Sequence, residues 1–175
     1  LLLVVAARRA QRRSELDSLE DTLTGMLNRG GLFSSLVDLR ADDGMWVVLV
    51  DLDRFKPVND SYGHAVGDLL LVAVAGELES AAAPLEGLVA RLGGEELVML
   101  FPETTPAQAM AVCEGLRARL DAVDWSALGI PIKVTASFGV SVFRAGDTGA
   151  ALLERADSAM YAAKRGGKDQ VVLAP

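Results

Sequence analysis

Two short stretches of this chain bring together residue types suited to holding a metal against phosphate. Asp51-Leu52-Asp53 closes the apolar run Met45-Trp46-Val47-Val48-Leu49-Val50, and Gly93-Gly94-Glu95-Glu96-Leu97 lies further along. Ionised carboxylates are costly to bury unpaired, so Asp51 and Asp53 belong at an exposed strand end or on a cation. Strand alternation puts both side chains on one side with the Leu52 carbonyl between them, a cradle of oxygen ligands suited to a hard cation such as Mg²⁺ carried by a nucleotide. The diglycine reads as a hairpin tip: its glycines take positive φ, let a phosphate approach the backbone closely, and present Glu95 and Glu96.

These groups need rigid elements behind them. Met45 to Leu52 has the continuous apolar character of a strand buried on both faces. Leu88–Leu92 and Leu97–Phe101 are the hairpin strands. Helical spacing predicts helices from Asn28 to Arg40, Gly67 to Ala82 (with Leu70, Leu71, Val74 and Leu78 on one face), and Pro106 to Val123 (with Ala109, Val112, Leu116 and Leu120 inward). A helical turn is expected over Arg54–Asp60 and a last helix over Ala150–Arg165, stopped by Gly166-Gly167. Ile132–Phe143 and Val171–Leu173 complete the strands. This order implies an α/β fold with a central, largely antiparallel sheet flanked by helices.

At 175 residues and 51% hydrophobic content the chain suits one domain with a full core. Its formal charge of −7 argues against general nucleic-acid binding, which needs a basic surface. The single cysteine, Cys113, falls in a helical pattern and reads as a buried thiol, so no internal disulfide forms and a reducing compartment is expected. The apolar start Leu1 to Ala7 runs into Arg8, Arg9, Arg12 and Arg13. It is too short for a bilayer span, which takes about 20 residues. It reads as the end of a transmembrane anchor with a basic cytoplasmic flank, or else as the apolar start of a soluble linker helix. Residues 1–20 are therefore expected to be a juxtamembrane or linker signalling helix, with Leu16, Leu19 and Leu23 at helical spacing, and residues 21–175 the catalytic domain.

Four ordered blocks carry a family resemblance: Asp21-Thr22-Leu23-Thr24-Gly25-Met26-Leu27-Asn28-Arg29, Asp51 to Asp68, Arg91 to Leu97, and Arg155-Ala156-Asp157 through Lys168. Over Asp21 to Ala174 the chain resembles a GGDEF domain, the family of bacterial diguanylate cyclases that condense two GTP into cyclic di-GMP. The resemblance implies a fold akin to nucleotidyl cyclases and polymerase palm domains. It implies that Asp51, the Leu52 carbonyl and Glu95 hold Mg²⁺, or Mn²⁺ in its place. Glu95 or Glu96 then accepts the proton of the attacking 3′-hydroxyl, and Lys56 stabilises charge on the triphosphate. It places the Phe55 backbone, Lys164 and Lys168 on the phosphates, and Asn59, His64 and Asp68 around the guanine. A carboxylate accepts together from the N1 hydrogen and exocyclic amine of guanine, a pair adenine lacks. On residue type alone, His64 reads equally as a packing residue at a helix start, Lys168 as a solvated helix end, and Asp53 as a surface or capping carboxylate.

One module holding one GTP implies an active homodimer controlled by an upstream sensor, on the cytoplasmic side of a bacterial inner membrane. Leu97 stands where the family has Phe, a packing change within the core, and Lys168 where Arg is commoner, which loses a bidentate fork. The positions of the family's Arg-x-x-Asp product-inhibition site are occupied by Pro84-Leu85-Glu86-Gly87, so that site is expected to be missing. The alternative function is a non-catalytic GTP-binding signalling module that regulates a neighbouring domain.

Overall fold

The computed structural model describes residues 19–38 and 44–175. The apolar start, its arginine cluster and residues 1–18 of the expected linker helix lie outside the described residues, while Leu19, Glu20 and Leu23 do not continue it: Glu20 bridges to Leu27 and Leu23 lies in a turn. The helices are α1 (Arg29–Asp38), α2 (Phe55–Tyr62), α3 (His64–Ala82), α4 (Pro106–Ala122) and α5 (Gly149–Arg165). The strands are β1 (Trp46–Leu52), β2 (Leu88–Gly93), β3 (Glu96–Phe101), β4 (Ala136–Val142) and β5 (Val171–Leu173).

Among the described residues the strands form one sheet in the order β2-β3-β1-β4-β5. The β2/β3, β3/β1 and β1/β4 pairs are antiparallel, while β4 and β5 run parallel. The expected largely antiparallel α/β sheet is thus the observed one. β1 lies at its centre and is buried along its whole length, as its unbroken apolar run requires. One face carries Val48, Val50, Leu97, Met99, Phe101 and Phe138 against α3 and α4. The opposite face carries Val47, Leu49, Val98 and Leu100 against Leu32, Leu36, Leu152 and Met160 of α1 and α5. Each fully buried leucine of this kind stabilises the fold by roughly 1.5–3 kcal/mol. Cys113 and Leu97 both lie in the first core with no exposed surface, as their residue types predicted.

Two local devices fix α5 and α4 on the sheet. Gly139 of β4 lets α5 pass so close that a Cβ there would lie 2.0 Å from the Ala156 carbonyl oxygen and 2.3 Å from the Met160 nitrogen. Only glycine fits such an approach. At α4, Thr105 and Gln108 form a reciprocal capping box ahead of Pro106.

Several boundaries differ from periodicity. The turn expected at Arg54–Asp60 is a full helix, and α3 begins at His64 because Gly63, at φ 86°, breaks the chain between α2 and α3. The strand expected from Ile132 starts only at Ala136. The residues before it follow Pro131, which has no N–H to give a ladder, and Lys133 is turned aside onto Asp121 at 2.8 Å.

Candidate functional site

At the end of β1, Asp51 pairs in register with Glu96 of β3 on one side and Ser137 of β4 on the other. Asp51 is 4% exposed, and the Lys164 ammonium at the end of α5 lies 2.6 Å from its Oδ2. Burial pushes the Asp51 carboxyl above its ordinary value, and the charges of Glu95 and Glu96 act in the same direction against the opposing pull of Lys164. The close passage of α5 over Gly139 thus delivers a cation to a carboxylate that would otherwise be costly to keep ionised. Leu52 lies one residue beyond the last β1–β3 pair while still pairing with Ala136.

Asp53 departs from the expected cradle. It is buried, and its carboxylate accepts hydrogen bonds from the Thr135 hydroxyl (2.7 Å), the Ser137 hydroxyl (2.7 Å) and the Asp169 amide (3.0 Å). It is neither a second open ligand beside Asp51 nor a surface or capping carboxylate.

The hairpin tip forms as expected: Gly93 and Gly94 have φ of 146° and 54°, with a register shift between Arg91 and Gly93. Glu95 is half-buried and Glu96 exposed. Arg91 secures the tip, its Nε donating to the Gly94 carbonyl (2.9 Å) and its Nη1 to the carboxylate of Asp21 (3.1 and 3.2 Å). Asp21 also accepts from the Thr24 amide and hydroxyl. Burial acts to raise the Asp21 carboxyl, but the Thr24 and Arg91 hydrogen bonds outweigh it and hold it below its ordinary value.

Among the described residues, no three His, Cys, Asp or Glu side chains gather closely enough to hold a metal on their own. Asp51, with Glu95 and Glu96 near it, instead forms a partial set of hard oxygen donors, of the kind that takes a divalent cation together with substrate phosphates. A hollow of about 320 Å³ opens beside Glu96 between α1 and α5, lined by Phe33, Leu49, Leu153 and Met160 with Glu154 and Asp157. Its floor is apolar, and its rim sets one arginine, Arg29, against three carboxylates, those of Glu96, Glu154 and Asp157.

On the α2–α3 side, Arg54 takes a left-handed conformation (φ 60°) that turns the chain from β1 into α2, and Phe55 anchors that helix in the core. Asn59 presses against Gly67, where a Cβ would lie 1.8 Å from the Asn59 Oδ1. That Oδ1 is buried and accepts no hydrogen bond. Asp68 and His64 are both exposed on α3, so His64 is not a packing residue. Lys56 is exposed and pairs with Asp60 at 2.9 Å. An exposed pair contributes roughly 0–1 kcal/mol, so Lys56 changes partner at little cost. Lys168 is exposed on a left-handed turn beyond α5.

The structure therefore brings Asp51, Lys164 and the Glu95–Glu96 tip together and sets Asn59 against Gly67, the residue before the exposed Asp68, while Lys56 and Lys168 stand on separate segments. Sequence reasoning missed the Arg91–Asp21 tie and the partners of Asp53. Arg91 and Asp21 carry no local signal beyond their place in two of the ordered blocks.

Comparison with known families bears directly on this arrangement. The model of the family described as diguanylate cyclase, GGDEF domain, matches residues 18–170. The chain belongs to the GGDEF family. Diguanylate cyclase DgcP of Pseudomonas aeruginosa is 39% identical over 90% of the chain, and the response regulator PleD of Caulobacter vibrioides is 39% identical over 91%. The GGDEF chain spans only 24% and 38% of these two relatives. Among solved structures, the coiled coil and GGDEF domain of DgcB from Caulobacter crescentus, in complex with c-di-GMP, aligns with a TM-score of 0.91 at 29% identity, covering 99% of this chain and 94% of that one. Diguanylate cyclase SiaD from Pseudomonas aeruginosa, in complex with its activator SiaC, aligns with a TM-score of 0.83 at 34% identity, covering 99% and 70%.

Proposed function

We propose that this GGDEF domain is a diguanylate cyclase that joins two GTP into cyclic di-GMP and releases pyrophosphate. The observation that carries this reading is the convergence, at the end of β1, of Asp51 with the Glu95–Glu96 tip and Lys164. Asp51, the Leu52 carbonyl and Glu95 are the groups that would hold Mg²⁺, or Mn²⁺. The bound metal supplies neutralisation of phosphate charge as pyrophosphate departs. The protein's own groups do the rest. Lys56, Lys164, Lys168 and the backbone amides at Phe55 surround the triphosphate with positive charge. Asn59, with its unsatisfied Oδ1, and Asp68 take the guanine edge, with His64 beside them.

A carboxylate of the tip, Glu95 or Glu96, takes the proton of the 3′-hydroxyl as its oxygen bonds to the α-phosphorus and the bond to the pyrophosphate oxygen breaks. Each module contributes one GTP, so the working species is a homodimer with its two sites facing. An upstream sensor acting through residues 1–20, on the cytoplasmic side of a membrane, controls that alignment. Product inhibition of the Arg-x-x-Asp kind is not expected. Pro84, Leu85 and Glu86 border a hollow of about 460 Å³ that also includes Glu103 and has no lysine or arginine in its lining. Binding an anionic dinucleotide there would lack the guanidinium fork it needs.

The test is incubation of the chain, dimerised through a fused leucine zipper, with GTP and Mg²⁺, following cyclic di-GMP and pyrophosphate. Turnover is expected in the parent and a loss of at least about a hundredfold in Glu95→Gln. Unchanged activity in Glu95→Gln overturns the site assignment. Tight GTP binding without turnover in the enforced dimer would favour the non-catalytic signalling module instead.

A further inference from the structure

We propose that Asp53 is a positioning residue: it holds the Lys168–Asp169 turn in place and so sets where the Lys168 ammonium stands. The proposal rests on the reading that Lys168 serves the triphosphate. An ionised carboxylate offers about four acceptor sites. Three of those on Asp53 are taken by the Thr135 and Ser137 hydroxyls and the Asp169 amide, all at 2.7 to 3.0 Å in a site only 7% exposed. These donors leave about one acceptor site in a buried position, so the second carboxylate of the Asp51-Leu52-Asp53 stretch does its work chiefly through the chain it holds.

That chain needs holding. Lys168 and Asp169 are consecutive non-glycine residues with φ of 67° and 45°. L-residues disfavour this backbone and keep it where surrounding contacts over-determine it. Those contacts are present. The Lys168 amide donates to the Ala163 carbonyl (3.0 Å), the Asp169 amide to Asp53 (3.0 Å), and the Asp169 carboxylate accepts from Arg117 of α4 (3.1 Å). The Lys168 side chain itself is exposed and makes no ion pair among the described residues. Its backbone is fixed and its ammonium is free, as a phosphate-facing cation requires. Asp53 thus ties the end of β1, the start of β4 and the basic turn beyond α5 into one unit.

The experiment measures GTP and guanosine affinity calorimetrically, without metal, for the parent chain, Asp53→Asn, Lys168→Ala and the double variant. Oδ2 accepts from both the Thr135 hydroxyl and the Asp169 amide, and Oδ1 from the Ser137 hydroxyl; a carboxamide at position 53 can turn its N–H to Ser137 but removes the charge that strengthens the bond to the Asp169 amide. Asp53→Asn and Lys168→Ala are each expected to weaken GTP binding by about tenfold, the scale of one charge-assisted contact, and to leave guanosine binding unchanged. The double variant is expected to be no weaker than either single one, because both remove the same contact.

If the two losses multiply, or if Asp53→Asn leaves GTP affinity intact, the proposal fails. It also fails if Lys168→Ala has no effect while the parent binds GTP, an outcome that leaves the cyclase reading standing. If the parent binds no GTP without metal the same cycle is run with Mg²⁺ added, and absence of binding there overturns both. Should Asp53→Asn not fold, Thr135→Val, which removes one donor to Asp53, takes its place in the same cycle, with a smaller loss and the same non-additivity expected.

Discussion

The two sides of the candidate site are built on opposite plans. At the end of β1 every buried carboxylate already has its partners: Asp51 has Lys164, and Asp53 has two hydroxyls and an amide. On α2 and α3, among the described residues, Lys56 pairs only with the exposed Asp60, the Asn59 Oδ1 is buried but unsatisfied, and Asp68 and His64 are exposed. The first side has its electrostatics arranged in advance, which is what stabilising a developing charge requires. The second side leaves an acceptor whose desolvation is offset only when a donor arrives, which is how a site discriminates between ligands.

Two glycine substitutions test this contrast. At Gly139 an added Cβ meets backbone atoms of Ala156 and Met160 at 2.0 and 2.3 Å, and a backbone cannot turn aside. Gly139→Ala is expected to destabilise the fold by about 3 kcal/mol, and to lower turnover further because α5 carries Lys164 away from Asp51. Urea unfolding reads the first effect. A Gly139→Ala protein with parental stability would mean that α5 is not seated as described.

Gly67→Ala collides with the end of a side chain, the Asn59 Oδ1 at 1.8 Å. This cost is smaller, about 1 kcal/mol, because Asn59 can rotate away. The expected consequence is in selection. Gly67→Ala, like Asp68→Ala, should narrow the preference for GTP over ITP, which lacks the exocyclic amine, by about tenfold while the fold persists. If both variants kept the full preference, the open side would not be the base-reading side.

What was legible beforehand follows the same division. β1, the hairpin and the core faces of α3 and α4 could be read because continuous apolar runs, a diglycine and helical spacing are local signals. Leu97, Cys113 and Leu70 went where their types sent them. Asp53 could not be read, because its partners Thr135, Ser137 and Asp169 come from distant segments, and a carboxylate two residues after another looks like a second ligand until the fold supplies donors. His64 was ambiguous for a related reason: Gly63 starts α3 earlier than the apolar spacing does and leaves the histidine outside.

The smallest expected effect concerns the hairpin tip between the two sides. Arg91 joins the Gly94 carbonyl to Asp21 in the entrance turn, and Asp21 is held below its ordinary carboxyl value by Thr24 and Arg91 despite its burial. A carboxylate whose folded value is depressed contributes stability that is complete above its unfolded value, near 3.8, and is lost as pH falls through the folded one. Asp21→Asn is therefore expected to be less stable than the parent by roughly 1 kcal/mol at pH 7, a figure reduced for solvent screening. The gap should close in acid as the parent's own Asp21 becomes protonated. Turnover at neutral pH should fall by about two- to threefold, since the tip keeps its Gly94 contact but loses the anchor behind Arg91. Paired urea titrations at pH 7 and in acid read the sign: a gap that stayed constant with pH would show that the Asp21 charge does not contribute, and would leave the tip held by Arg91 and the glycine backbone alone.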